Sequence, residues 1–126
     1  MNAIAPFTEC AYGKPTLSSD RDVEYNVFSS VTRSLRKAKN SDNFQETILA
    51  VTRNSDLWTI LADDLSSAGN RLPDEVKMGL ISLASFSVKT GQAVLGRRSS
   101  VDVLIDVNMS IMKGLRGHFS NGRDAA

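Results

Sequence analysis

The chain has 126 residues, of which 41% are apolar and 23% charged, and its 15 basic and 14 acidic side chains give a formal net charge of +1. A chain of this length folds as one domain that buries roughly two thirds of its unfolded surface, and the composition is that of a soluble globular protein, which excludes disorder over most of the chain. The small net charge offers little long-range attraction for nucleic acid or anionic lipid, so either partner would need a local patch.

The N-terminal segment, residues 1–18, combines Pro6, Gly13 and Pro15 with scattered apolar side chains, which predicts an irregular arm. It lacks the basic start and apolar run of a secretory signal, and no apolar run approaches the roughly 20 residues of a membrane span. We therefore expect a cytoplasmic protein without membrane contact. Cys10 is the single cysteine, so no internal disulfide can form.

Two amphipathic helices are predicted after the arm. The first begins at a capping pattern of Ser19 and Asp22 and ends near Lys39. Its apolar side chains repeat every four positions along one stripe, which comprises Val23, Val27, Val31 and Leu35. The second helix follows a capping signal at Asp42. We expect its inward face to comprise Phe44, Ile48, Val51, Trp58, Leu61, Ala62 and Leu65.

A tight corner is predicted between the second and third helices. Gly69-Asn70 favours a left-handed turn that ends the second helix, and Pro73 has the fixed φ and missing N–H suited to the first position of the third. Gly79 and Gly91 each cost up to about 1 kcal/mol against alanine in a helix interior. Either they permit the close approach of another helix or the third helix is marginal there.

The third helix is expected to close at Gly96, and the fourth to run from a capping pattern of Ser99 and Asp102 to Gly117. Short connections between amphipathic helices favour a compact all-α bundle, with up-down topology as the simplest arrangement.

Three segments are predicted along the chain. They are the irregular arm over residues 1–18, a helical domain over residues 19–117 and a flexible tail over residues 118–126.

No residue constellation suggests an enzyme. Asp63 and Asp64 are neighbours on a helix, so their side chains point about 100° apart and cannot flank one substrate atom. His118 has no cysteine or carboxylate cluster near it in sequence, which argues against a metal site. Cys10 has no neighbouring base that would activate a nucleophile. We expect no catalysis and no cofactor.

The densest basic cluster lies at the end of the first helix and comprises Arg33, Arg36, Lys37 and Lys39. It could contact nucleic acid. The structural interpretation is that basic residues gather at helix C-termini and acidic ones at N-termini, as the helix dipole favours. Aromatic side chains that could stack on bases are absent around the cluster, so we do not expect direct nucleic-acid binding.

The third and fourth helices carry more apolar surface than one core-facing stripe requires. On the fourth helix these side chains cover about 240° of the circumference at 100° per residue, and they are Val101, Val103, Leu104, Ile105, Val107, Met109, Ile111, Met112 and Leu115. Two interpretations stay open: both helices are buried all round, or an apolar groove is left over. Asn108 lies inside the apolar arc, where it either bonds a neighbouring helix or fixes a bound peptide.

The order and spacing of several motifs resemble the flagellar biosynthesis regulator FlaF family of alphaproteobacteria. The resemblance covers most of the chain from Ala11 to Gly117. The motifs are Glu24-Tyr25-x-x-Phe28-x-x-Val31-Thr32, Leu57-Trp58-x-x-Leu61-x-x-Asp64-Leu65, Asn70-x-Leu72-Pro73-x-Glu75, Leu80-Ile81-Ser82-Leu83 and Leu104-Ile105-Asp106-Val107-Asn108-x-x-Ile111-Met112-x-Gly114-Leu115-Arg116-Gly117.

The resemblance implies a small cytoplasmic helical protein that serves flagellin production and export, as a secretion chaperone linked to control of flagellin translation. It implies flagellin as the partner, with another flagellar regulator as a further candidate, and no enzyme activity. Flagellin termini are amphipathic helices, which calls for helix-in-groove recognition. We expect the groove to be formed by Leu49, Ile60, Phe86, Val103, Val107 and Met109. The alternative is a post-transcriptional regulator that binds flagellin mRNA through the basic cluster of Arg33, Arg36, Lys37 and Lys39.

Overall fold

The computed structural model describes the backbone of residues 21–125 and the side chains of residues 25–115. Four α-helices, and no strand, occupy the described range: α1 Arg21–Lys39, α2 Phe44–Leu65, α3 Asp74–Leu95 and α4 Val101–Ala125. The predicted all-α bundle is confirmed, whereas the arm and the capping pattern proposed for the first helix lie outside the residues whose side chains are described. Within residues 21–125 no helix combines the length and hydrophobicity needed to cross a membrane.

The helices form a ring in which each one packs against its neighbours in sequence and α4 returns to α1. Lys39, at the end of α1, pairs with Asp102 at the start of α4, with Nζ and Oδ1 2.6 Å apart. Gly91, late in α3, lies against Val51, early in α2. These contacts join opposite ends of paired helices, so the bundle runs up and down as the short connections predict. The contact between α3 and α4 is the least extensive of the four.

Two apolar clusters fill the interior. In the larger one the rings of Phe28 and Trp58 meet edge to face, with centroids 5.3 Å apart, a favourable aromatic geometry. Its buried members are Val27, Phe28, Val31, Leu57, Trp58, Leu61, Leu65, Ala84 and Met112. The smaller cluster lies towards the other end of the bundle and comprises Leu35, Ala38, Ala50, Val51, Val94, Val101, Leu104 and Ile105.

The second helix starts one residue later than the capping prediction placed it. Asn43, not Asp42, is the N-cap, and its side-chain oxygen accepts a hydrogen bond from the backbone N–H of Gln45 at 2.9 Å. The inward face is confirmed from Val51 to Leu65, but the first turns are wrong. Phe44 is half-buried and Ile48 exposed, because at this end the helix turns these positions towards the rim of the bundle.

The prediction of a left-handed turn at Gly69-Asn70 is wrong, since neither residue lies in the left-handed region. The buried Asn70 side chain shapes the connection instead. Its Nδ2 donates to Asp64 Oδ2 and its Oδ1 accepts from the Leu72 backbone N–H, both at 3.0 Å. Pro73 is the N-cap of α3 rather than its first helical residue, with φ −58° and ψ 148°. The chain therefore turns with the help of hydrogen bonds from the Asn70 side chain, and without a residue in the left-handed conformation.

The predicted close of α3 at Gly96 is confirmed, whereas the cap of α4 differs from the prediction by one residue. Gly96 is the C-cap with φ −86°, and the left-handed position falls on Arg97 at φ 61°. The Arg98 N–H donates to the Ala93 carbonyl at 2.8 Å, as a Schellman turn requires. Ser100, not Ser99, caps α4 through its hydroxyl, which accepts from the backbone N–H of residue 102 at 3.1 Å. The predicted helix end at Gly117 is wrong, because α4 continues to Ala125.

Candidate functional site

Most of the fully buried side chains of helix α3 are small. The helix has 22 residues, as α2 does, but only four of the described residues of α3 are fully buried, against eight in α2. The four are Ala84, Ser87, Gly91 and Val94. Three of its larger apolar side chains are exposed, with Val76 at 44%, Met78 at 68% and Phe86 at 48%. Four others are partly buried and pack against the larger cluster, namely Leu80, Ile81, Leu83 and Val88. The expectation of apolar surface left over on the third helix is met, and such surface marks sites of interaction.

The small residues of α3 let it approach α2 closely. A Cβ atom at Gly91 would stand 3.0 Å from Ser55 Oγ and 3.1 Å from Val51 Cγ1, closer than side chains normally pack. Gly79 differs, because a Cβ there would meet no atom within 4 Å. Of the two explanations offered by the sequence, close approach therefore holds for Gly91, whereas Gly79 only weakens the helix.

Phe86 lies on the side of α3 that faces away from α2. Ala84 and Val88 line a groove shared with α2, and Phe86 is two residues, or about 200°, from each of them. The other neighbour of α3 in the ring is α4. Ala84 is buried in the core, so Phe86 points outward from α3, on the flank away from α2; the furrow on that flank is the boundary between α3 and α4.

Two of the predicted residues on α4 border the same furrow. Asp102 marks the side of α4 that faces α1, because it pairs with Lys39. Met109, seven residues further on, shares that side and is 40% exposed. Val107 is two residues from Met109 and so points the opposite way, towards α3. Val103, one turn before Val107, borders the furrow from further out, and both valines are half-buried.

The remaining two predicted residues lie on α2 and face solvent. Leu49 and Ile60 are eleven residues apart and share one side of the helix, about 180–200° from the buried Trp58. Leu49 is 66% exposed and Ile60 half-buried. The six predicted residues therefore do not form one groove. Phe86 and the two valines of α4 border the α3–α4 furrow. Met109 lies on the side of α4 that faces α1, and Leu49 and Ile60 lie on the outer surface of α2.

A buried polar layer lies at the heart of the bundle, where the two apolar clusters meet. The Trp58 indole N–H donates to Asn108 Oδ1 at 3.0 Å, Asn108 Nδ2 donates to Asn54 Oδ1 at 2.7 Å, and Asn54 Nδ2 donates to Ser87 Oγ at 3.3 Å. Asn54, Ser87 and Asn108 are each 0% exposed. Asn108 therefore bonds two side chains of α2, across the bundle from α4, and does not reach a surface where a peptide could bind.

The sequence analysis missed Asn54 and Ser87. A signal was present for Asn54, since it stands three residues after Val51 and four before Trp58, on the predicted inward stripe. A polar residue on such a stripe needs a buried partner. Nothing in the local pattern identified which partner, because Ser87 and Asn108 come from two other helices.

The basic cluster at the end of α1 is spread over the exposed half of that helix. Arg33, Arg36, Lys37 and Lys39 are all exposed, but Lys37 and Lys39 point about 200° apart. Lys39 is already paired with Asp102, and its hydrogen bond and charge hold the pKa of that carboxyl below the usual 3.8. This arrangement matches the helix-terminus interpretation more closely than a continuous phosphate-binding strip.

The carboxylates singled out by sequence do not form a reactive pair. Asp63 is exposed, while Asp64 accepts the hydrogen bond from Asn70. On the same helix, burial raises the pKa of the Asp56 carboxyl above 3.8. Among the side chains described for residues 25–115, no three His, Cys, Asp or Glu residues come together in a way that could hold a metal ion. Cys10 and His118 lie outside these side chains.

Comparison with known proteins gives one family. Residues 10–115 match the model of a family described as flagellar protein FlaF. No curated protein and no solved structure matches the chain. The matched range takes in α1, α2, α3 and most of α4, so the family pattern extends across the whole helical ring.

Proposed function

This chain belongs to the FlaF family of flagellar proteins, and on that basis we propose that it is a cytoplasmic flagellin-binding export chaperone that also regulates flagellin synthesis. Family membership supports a role in flagellar biogenesis. The proposal adds the partner and the mode of binding. In this proposal the chain holds flagellin before export by binding an amphipathic helix of flagellin, whose apolar face would otherwise be exposed to water.

The observation that carries the binding mode is the uncovered apolar surface of α3. Phe86 is 48% exposed on the outer surface of α3, on the flank away from α2, and the contact between α3 and α4 is the least extensive of the four. We place the partner helix along the furrow between these two helices. Val103 and Val107 supply apolar surface on the α4 side. A partner helix lying along this furrow would remove these side chains from water, which contributes about 25 cal/mol for each Å² of apolar surface buried.

Capture of purified flagellin by the full chain tests this proposal. We expect Phe86→Asp and Val103→Asp each to weaken capture by at least tenfold, because each introduces a charge that must lose its hydration when the furrow is filled. Leu49→Asp is the matched control, since Leu49 is more exposed than Phe86 but lies on the outer face of α2. Helical circular dichroism of each variant verifies the fold. Capture that is lost in Leu49→Asp and retained in Phe86→Asp would contradict the proposed location.

Regulation of flagellin synthesis follows from the same contact if free flagellin, or a second flagellar regulator, is the species that controls translation. Direct contact with flagellin mRNA through Arg33, Arg36, Lys37 and Lys39 predicts a different result. RNA binding through several phosphates would fall steeply between low and moderate salt, whereas apolar capture of flagellin would change little. A pull-down at two salt concentrations, analysed for protein and for RNA, distinguishes these routes.

A further inference from the structure

A second groove lies on the opposite side of α3, between α3 and α2. It has a volume of about 440 Å³, and its floor is apolar, formed by Trp58, Ala62, Ala84 and Val88. The groove exists because both helices place alanines where larger side chains would fill the space. Between Ala84 and Gln92, which both line it, the helix rises about 12 Å at 1.5 Å per residue. It is therefore an elongated depression two helical turns long.

The two rims of this groove carry opposite charges. Thr59 lines the groove from α2, and Asp56 and Asp63 lie three residues before and four after it, on the same edge of the helix. Lys89 lines the groove from α3 and is exposed. Among the described side chains, none of these three charged groups is within ion-pair distance of another charge. The apolar floor holds the acidic and basic rims apart.

From this arrangement we propose that the groove between α2 and α3 receives an amphipathic helix of a partner protein, with basic residues on the edge over α2 and acidic residues on the edge over α3. An apolar floor flanked by charged rows is the pattern with which paired helices select partners. The alanines provide the holes for large apolar side chains of the incoming helix. Because the rims differ in sign, the charges also fix the direction in which the helix lies. This inference does not depend on flagellin binding at the furrow beside Phe86.

Three synthetic helical peptides test the proposal on the full chain. They share one leucine seam and differ in the flanking residues, which are lysine on one edge and glutamate on the other, lysine on both, or glutamate on both. Each peptide carries a fluorescent dye at its N-terminus, and the anisotropy of the dye reports binding, because the Trp58 side chain beneath the groove is 0% exposed. We expect the split-charge peptide to bind at least about fivefold more tightly than either of the others, as a few rim ion pairs allow.

Charge reversal at one rim provides the sharpest measurement. Lys89→Glu makes both rims acidic, so the all-lysine peptide should become the tightest binder. Lys113→Glu is the matched control, because Lys113 is an exposed lysine on α4, and it should leave the ranking unchanged. Ser85→Phe fills the groove from an exposed lining position and should abolish binding of all three peptides. Ser82→Phe makes the same change outside the groove and should not.

Several results would overturn the proposal. Absence of binding by every peptide, equal binding by all three, a ranking that Lys89→Glu does not alter, or binding that persists in Ser85→Phe would each do so. A dimer of the chain that Ser85→Phe dissociates would show that a second copy occupies the groove instead. Phe86→Asp should not affect the peptides, so failure here and failure of the flagellin proposal are distinguishable.

Discussion

Replacing Asn108 with leucine tests the polar layer that joins three helices. The substitution keeps the branched shape of the side chain but removes the acceptor of the Trp58 indole N–H and the donor to Asn54 Oδ1. Both groups are fully buried and no water can replace the lost partner without opening the core. Each unsatisfied group costs about 1–3 kcal/mol, so we expect Asn108→Leu to lower the free energy of unfolding by about 2–6 kcal/mol. That is a large share of the roughly 5–15 kcal/mol that stabilises a domain.

The double variant Asn54→Leu/Asn108→Leu should be less destabilised than Asn108→Leu alone. With both amides gone, the Trp58 N–H remains without an acceptor, while the Ser87 hydroxyl can rotate to a carbonyl of its own helix. We expect a loss of about 1–3 kcal/mol, and Asn54→Leu alone should cost a similar amount because it leaves Asn108 Nδ2 unpaired. The two substitutions are therefore strongly coupled.

Urea denaturation of the four proteins, followed by helical circular dichroism and by the emission of Trp58, gives the required free energies. Leucine branches at the same carbon as asparagine and is the larger residue, so none of the variants leaves a new cavity. If the losses in the double variant equal the sum of those in the single variants to within about 0.5 kcal/mol, the amides act independently and the reasoning is refuted.

Three further variants test the backbone and the surface charges. Arg97→Gly and Arg97→Ala both lose the cation–π contact with the Phe44 ring, 4.0 Å away, but only glycine relieves the strain of φ at 61°. Arg97→Gly should therefore be about 1 kcal/mol more stable than Arg97→Ala, and equal urea midpoints for the two variants would contradict this. Gly79→Ala should stabilise the fold by about 0.5–1 kcal/mol, since an added Cβ meets no neighbouring atom. Gly91→Ala should not stabilise it, because the added Cβ would press on α2. A higher urea midpoint for Gly91→Ala than for Gly79→Ala would refute both expectations. The Lys39 pair lowers the pKa of Asp102, so its contribution is present above the ordinary pKa of 3.8 and is lost as pH falls through the lowered value. Asp102→Asn should therefore reduce the dependence of the free energy of unfolding on pH below pH 3.8. An unchanged pH dependence in this range would show that the pair with Lys39 does not contribute.

The helices themselves could be predicted from sequence with small errors at their ends. The stripe through Val27, Val31 and Leu35 is fully buried, as its spacing indicates. The errors at Asp42 and Ser99 are each one residue, because neighbouring residues of similar chemistry compete for a cap and only the path of the chain decides between them. The exception is the end of α4, which lies at Ala125 and not at the predicted Gly117. The turn after α2 was predicted from the wrong feature, since an asparagine side chain can replace a left-handed residue.

The candidate site was predictable only in part. Periodicity identified an excess of apolar residues on α3 and α4, and Phe86 is exposed as that excess requires. Sequence could not predict that Leu49, Phe86 and Met109 lie on different sides of the bundle, because the side of a helix that a neighbour covers depends on the order of the helices around the ring. The groove over Ala62 was not foreseen for the same reason, since it exists only between two helices.

What the sequence determined by itself is local: four amphipathic helices, the stripe that each turns inward, and their lengths to within a few residues except at the C-terminal end of α4. These follow from the 3.6-residue repeat, which acts over neighbouring turns of one segment. Only the tertiary structure decided that Asn54, Ser87 and Asn108 share one buried layer, and that α3 keeps apolar surface on both flanks. Those features depend on which helices become neighbours, and partners 33 to 54 positions apart in the chain leave no local trace of their pairing.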